Sequence, residues 1–188
     1  MLIKDQCEIN DRGYLSSDNR GSCLFRRGGL AVFNRVVIIG VGLIGGSLGL
    51  AFKRRGFKGC IVGVSRAETI RVALDSGVID EGWSYEDLKE SVKDADLIFL
   101  CTPISRILEL IEELGPLIES GTIVTDVGST KRNIISSAKK HFRAETFFIG
   151  GHPMAGSERS GVAAADPFLF QNAIYILTPN ALVPAESY

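Results

Sequence analysis

Gly40-Val41-Gly42-Leu43-Ile44-Gly45 is a G-x-G-x-x-G string. It follows the β-branched run Val36–Ile39 and opens an apolar helical pattern, the context in which such a string holds the diphosphate of a dinucleotide. Gly40 permits a tight turn, Gly42 lets a diphosphate reach the backbone, and Gly45 lets the helix pack close to the strand. The amides of Leu43 and Ile44 then face the phosphates, aided by the helix dipole. The alternative is glycine used only for close helix–sheet packing.

The next strand, Cys60–Val64, ends at Ser65-Arg66. In dinucleotide sites this position reads the adenosine ribose, about 20 residues after the fingerprint. NAD sites carry an acid there, which would repel a 2′-phosphate. Here no acid comes before Glu68. Ser65 can donate to a 2′-phosphate, and Arg66 can pair with it or stack on adenine. NADP is therefore favoured, with NAD possible. The alternative for Arg66 is a solvated residue at a helix start. Thr102-Pro103 ends the strand Leu97–Cys101 and should border the cofactor, because ligands bind beyond the carboxyl ends of such strands. Pro103 also suits the start of the following helix.

Two further strand ends carry polar chemistry. Asp126-Val127-Gly128-Ser129-Thr130-Lys131 follows the strand Thr122–Asp126. Ser129 either contacts a ligand or caps the next helix. Gly150-Gly151-His152-Pro153-Met154-Ala155-Gly156-Ser157-Glu158 follows the strand Phe147–Ile149. His152 is expected in a glycine-bounded turn, where an imidazole can take a hydroxyl proton near neutral pH. A lone histidine is more often structural, but a strand-end position shifts the balance toward function. His141, near a helix C-terminus, needs no function.

These residues need a framework that brings strand ends to one edge. Helical patterns over Leu43–Arg55, Ala67–Ser76, Ile104–Leu114 and Thr130–His141 alternate with the strands, and Ala173–Leu177 is a last strand. Ser84 and Asp87 form a capping-box pattern before Leu88, Val92 and Ala95. Repeated β-α-β units with short links predict an α/β fold with a doubly wound parallel sheet. Residues 1–33 lack apolar periodicity and read as a flexible arm. Residues 34–179 form the dinucleotide-binding domain, and 180–188 read as the start of a linker.

The chain has 188 residues, of which 45% are apolar and 23% charged, the balance of a globular protein. A net charge of −1 gives no electrostatic reason to bind nucleic acid. The uncharged run from Val36 to Phe52 is at the short end for a membrane span and is rich in glycine, so no membrane segment is expected. The cysteines (Cys7, Cys23, Cys60, Cys101) form no C-x-x-C pair, so no metal site is expected. Cys60 and Cys101 read as small core residues of a reduced, cytoplasmic protein.

In this order, Val36–Gly49, Gly63–Arg66, Phe99–Pro103, Val124–Lys131 and Gly150–Gly161 resemble the prephenate/arogenate dehydrogenase family of tyrosine biosynthesis. The His-Pro-Met-Ala-Gly-Ser core is the most specific of these segments. The resemblance covers about residues 35–179 and implies the Rossmann-like N-terminal domain of that family. It implies NAD(P)-dependent oxidative decarboxylation of prephenate or arogenate. His152 matches the catalytic histidine and Ser129 the motif serine that bonds the substrate hydroxyl. Ser157 and Glu158 match the loop lining the substrate pocket. The family's helical second domain, which forms a homodimer and supplies basic residues for the substrate carboxylates, has no counterpart here, and neither has the arm in the family pattern. Alternative readings are a related hydroxyacid dehydrogenase, which would use a lysine base, and a non-catalytic dinucleotide-binding module.

Overall fold

The computed structural model describes residues 33–143 and 145–179, with the backbone of a short antiparallel pair, Glu8–Ile9 and Leu15–Ser16. The rest of the expected arm, and the expected linker over 180–188, lie outside the described residues.

One sheet holds β1 (Arg35–Ile39), β2 (Cys60–Val64), β3 (Glu81–Trp83), β4 (Leu97–Leu100), β5 (Ile123–Asp126), β6 (Phe147–Pro153) and β7 (Tyr175–Pro179). Its spatial order is β3-β2-β1-β4-β5-β6-β7. The first six strands are parallel, and β7 runs antiparallel to β6. The strand order therefore reverses beside β1, which makes a crevice at the carboxyl edge between β1 and β4.

The sheet is covered on both faces, so β1 can be a continuous apolar run. Successive residues point to opposite sides. Val37, Ile39, Ile98, Leu100 and Val124 pack with α4 (Ile104–Leu114) and α5 (Arg132–His141). Val36, Ile38, Phe99, Ile123 and Ile149 pack on the side of α1 (Leu43–Arg54) and α2 (Ala67–Asp75). Burying each such side chain contributes about 1.5–3 kcal/mol.

Two helices end one residue before the expected bounds, each closed by a glycine. In α1, Gly56 adopts φ +78°, its amide donates to Lys53 O at 3.0 Å, and the Phe57 amide donates to Phe52 O at 3.0 Å. In α2, Gly77 adopts φ +65°, with Gly77 N to Leu74 O at 3.0 Å and Val78 N to Ala73 O at 2.8 Å. Both are Schellman caps, which need a left-handed residue that glycine supplies without strain.

Some boundaries differ from expectation. β3 was not expected; it is three residues long and is held by Glu81, which accepts from the two terminal guanidinium nitrogens of Arg35 at 2.8 and 3.1 Å. The Ser84–Asp87 pattern is not a capping box. Ser84 Oγ donates to the Asp87 carboxylate at 3.0 Å, and a 3-10 turn leads into α3 (Leu88–Ser91). β6 extends to Pro153 and the last strand begins at Tyr175, because the two pair antiparallel beyond the end of β5. The run Val36–Phe52 is divided between β1, the glycine turn and α1. Among the described residues no helix is long and apolar enough to cross a membrane.

Candidate active site

The turn between β1 and α1 has the geometry a diphosphate requires. Gly40 adopts φ +96°, and a Cβ there would sit 2.7 Å from Thr102 Cγ2 and 2.8 Å from the Cys101 carbonyl carbon. A Cβ on Gly45 would fall on the Gly40 carbonyl oxygen and lie 2.9 Å from Ile38 Cγ2. Gly42 differs: nothing lies within 4 Å of its Cβ position. The first bond within α1 runs from Gly46 N to Gly42 O at 2.8 Å, so the amides of Leu43, Ile44 and Gly45 have no intrahelical acceptor. No acidic residue stands in that first turn and no side chain caps it. Open space before bare amides at a positive helix end fits a dinucleotide diphosphate.

The neighbouring residues line the same rim. Gly40 N donates to Val64 O at 2.8 Å, which sets Ser65 beside the glycine turn. Ser65 is buried, and its amide donates to Trp83 O at 3.1 Å. Arg66 is exposed and stands at the N-cap of α2, so its side chain is free to turn toward the rim. Glu68 is also exposed, in the first turn of α2. Pro103 is the N-cap residue of α4, so it starts that helix. Thr102 Oγ1 is buried with no partner among the described residues. An unmet buried hydroxyl costs about 1–3 kcal/mol, which a polar ligand group can offset.

Beyond β4 the edge is organised by Asp126, a fully buried carboxylate at the end of β5. It accepts from Gly128 N at 2.8 Å and Gly151 N at 3.2 Å, and it pairs with Lys131 Nζ. Lys131 Nζ also donates to Gly151 O at 2.7 Å. Both backbone groups of Gly151 are thus tied to the residues that flank the loop after β5, Asp126 and Lys131. The Tyr175 hydroxyl lies 3.4 Å from Asp126 O as a donor. Burial, with Cys101 and Asp126 nearby, pushes the Tyr175 hydroxyl well above the usual tyrosine range and keeps its proton in place. A Cβ on Gly151 would fall on the Asp126 carbonyl oxygen.

His152 therefore does not sit in a turn. It is a strand residue, opposite Ile176 in the β6–β7 pair and half-buried. The sequence hid this because the extension depends on a partner strand more than twenty residues away. The imidazole carries no side-chain bond to the described residues, and its backbone is fixed on both sides. Ser129 is exposed and does not cap a helix: α5 starts at Arg132 with Lys131 as N-cap. Asp126 and Lys131 together fix the loop that carries Ser129 against the strand that carries His152. Ser157 and Glu158 are exposed on the connection after β6; Ser157 Oγ accepts from Arg159 N at 3.0 Å, and no bond joins either residue to His152. His141 ends α5 with Ser137 Oγ 3.4 Å from its Nδ1, away from this edge.

Asp126, Lys131, Gly151 and Tyr175 were missing from the expected site residues. One signal was available: a carboxylate closing a strand expected to be buried requires a cation or donors nearby. No metal-ligand cluster occurs among the described residues. Cys60 and Cys101 are free thiols, and burial pushes Cys60 up to about 11 and Cys101 higher still, which disfavours the thiolate in both.

A family model described as the nucleotide-binding domain of prephenate dehydrogenase matches residues 48–187. The chain belongs to the prephenate dehydrogenase family. It is 43% identical over 147 residues to a prephenate dehydrogenase of Bacillus subtilis, covering 77% of this chain and 39% of that protein. Prephenate dehydrogenase from Aquifex aeolicus, solved with hydroxyphenyl propionate and NAD+, superposes with a TM-score of 0.73 at 34% identity, covering 80% of this chain and 52% of that one. Synechocystis arogenate dehydrogenase superposes at 0.72 with 39% identity, covering 81% and 52%. The chain thus spans about two-fifths of the curated B. subtilis relative's length. What it shares with the family is the cofactor-side domain described above.

Proposed function

We propose that this chain is the dinucleotide-binding part of an NAD(P)-dependent prephenate or arogenate dehydrogenase. The observation that carries this reading is the tie between Gly151 and the Asp126–Lys131 pair. It sets His152 and the Ser129 loop together at the same sheet edge as the open Gly42 turn. The substrate class is a cyclohexadienol with a ring carboxylate opposite the hydroxyl-bearing carbon.

A bound nicotinamide dinucleotide would supply the acceptor for the hydride released from that carbon. The chain's own residues bind and orient. Gly40, Gly42 and the amides of Leu43, Ile44 and Gly45 hold the diphosphate, and Thr102 and Pro103 line the path toward the nicotinamide end. Ser129 donates to or accepts from the substrate hydroxyl and holds it toward His152. The His152 imidazole takes the hydroxyl proton as the carbonyl forms, which contributes about 10²–10⁴ in rate for a placed general base. Carbon dioxide then leaves, its bonding pair passes through the ring to the carbonyl oxygen, the ring aromatises, and that oxygen takes its proton back from His152. Ser157 and Glu158 line the substrate side. Basic residues for the carboxylates, and the dimer contact, belong to a helical domain of the full-length enzyme.

At the adenosine end, Ser65 and exposed Arg66 support NADP over NAD, because no acid stands between Val64 and the first turn of α2. Free, largely buried thiols at Cys60 and Cys101 suit a reduced, cytoplasmic setting. The test is absorbance at the reduced-nicotinamide band with full-length protein, each dinucleotide, and prephenate or arogenate. Reduction with one of these substrates supports the reading; no reduction with any combination rejects it.

A further inference from the structure

The connection from β6 to β7 is not a free loop. At its base Met154 N donates to Ile174 O at 2.8 Å, directly after the Pro153–Tyr175 pair. Its middle crosses to α1, on the other side of the rim. There Asp166 N donates to Ser47 Oγ at 2.9 Å, and Ser47 is completely buried. A Cβ on Gly46 would lie 2.9 Å from Ala165 Cβ, so the close approach depends on glycine at that position. Val162 and Ala164 are buried in a 3-10 turn that Gly161 opens with φ +81°. Further along, the Arg54 guanidinium stacks over the Phe168 ring at 3.9 Å from its centroid. Asp166 Oδ1 accepts from Phe168 N at 2.8 Å, which rigidifies the stretch between the two attachments.

The position of these attachments matters. Leu43, Ile44 and Gly45 offer the free amides, and Gly46 and Ser47 are the next two residues of the same helix. Whatever fixes the first turn of α1 also fixes the residues that grip the connection. Ser157 and Glu158 lie between that grip and the end of the His152 strand. Both are exposed and have no bond of their own to the site, so their placement depends on the two anchors.

We propose that Ser47 is a positioning residue: its buried hydroxyl ties the substrate-side connection to the dinucleotide helix, so that dinucleotide binding at α1 orders the segment carrying Ser157 and Glu158. This rests on the dinucleotide reading above. The coupling needs no new contact between dinucleotide and loop. It requires only that rigidity gained in the first turn passes through Gly46 and Ser47 to Asp166.

Amide hydrogen exchange on this chain tests it, with and without saturating NADP or NAD, in wild type and Ser47→Ala. In wild type the dinucleotide should slow exchange several-fold both in residues 40–46 and in residues 157–168. In Ser47→Ala the protection of 40–46 should remain and that of 157–168 should fall by threefold or more. In the full-length enzyme the same variant should raise KM for the cyclohexadienol several-fold while dinucleotide Kd stays within twofold. Equal loop protection in wild type and Ser47→Ala overturns the proposal, as does wild-type protection confined to 40–46. Absence of protection everywhere rejects the dinucleotide reading itself and the proposal with it. Should Ser47→Ala fail to fold, Ser47→Cys, which keeps nearly the same volume but offers only a weak acceptor to the Asp166 amide, decides instead. Reduced loop protection then supports the tether, and wild-type protection contradicts it.

Discussion

Lys131 Nζ donates to the carbonyl oxygen of Gly151 at 2.7 Å while pairing with buried Asp126. One ammonium group therefore fixes the residue before His152 and neutralises the carboxylate that holds the Ser129 loop. Removing it leaves Asp126 buried with two backbone donors and no cation. Lys131→Met should cost about 3–5 kcal/mol, the usual penalty for a stranded buried charge. Urea unfolding measures this, and a loss under about 1 kcal/mol would show the pair to be worth no more than a surface one.

Gly151 and Gly42 should respond to alanine in opposite ways. At Gly151 the added methyl meets the Asp126 carbonyl, so Gly151→Ala should destabilise by about 1–3 kcal/mol or more and displace His152. At Gly42 the methyl meets no protein atom but occupies the space before the free amides. Gly42→Ala should keep stability within about 0.5 kcal/mol. It should weaken dinucleotide binding more than about tenfold, or about 1.4 kcal/mol. Thermal melts and calorimetric titration separate the two effects. Unchanged dinucleotide affinity in Gly42→Ala would remove the diphosphate from this turn.

The adenosine end gives a sharper comparison. A charge-assisted bond is worth about 1.5–3 kcal/mol. Arg66→Ala should therefore weaken NADP about 10- to 100-fold and leave NAD nearly unchanged. Direct titration with both dinucleotides in both proteins provides the answer; tighter NAD binding in the wild type would contradict the NADP preference.

The framework was readable because it is local and periodic. β-branched runs, helical stripes and the glycines Gly56 and Gly77 mark their own boundaries. In the glycine turn, Gly40 and Gly45 answer to contacts within a few residues or at the end of the adjacent strand, whereas Gly42 faces open space. What escaped notice depends on distant partners. β3 is too short and polar to read as a strand; it exists because Glu81 meets Arg35 from β1. His152 was placed in a turn because nothing near it in the chain reveals that Ile176 pairs opposite. The Asp126–Lys131 pair spans a turn whose shape no propensity specifies.

Thiol chemistry follows from burial with a clear sign. Raising a thiol above its usual value lowers the thiolate fraction at a given pH. For Cys60 at about 11, only about one molecule in a thousand is thiolate at pH 8. Cys101 is held higher, again by burial and then by Asp126. Alkylation of the folded protein at pH 8, mapped by mass spectrometry, should leave both unmodified until denaturant is added. Rapid labelling of Cys101 would mean that the β4 end is open to solvent.

His152 carries the central claim, and its replacement in the full-length enzyme is the direct test. With saturating dinucleotide and substrate, His152→Asn should lower turnover by about 10²–10⁴. Dinucleotide affinity should stay within twofold of wild type. Turnover near the wild-type rate in His152→Asn would contradict the account, because the hydroxyl proton would then leave by another route.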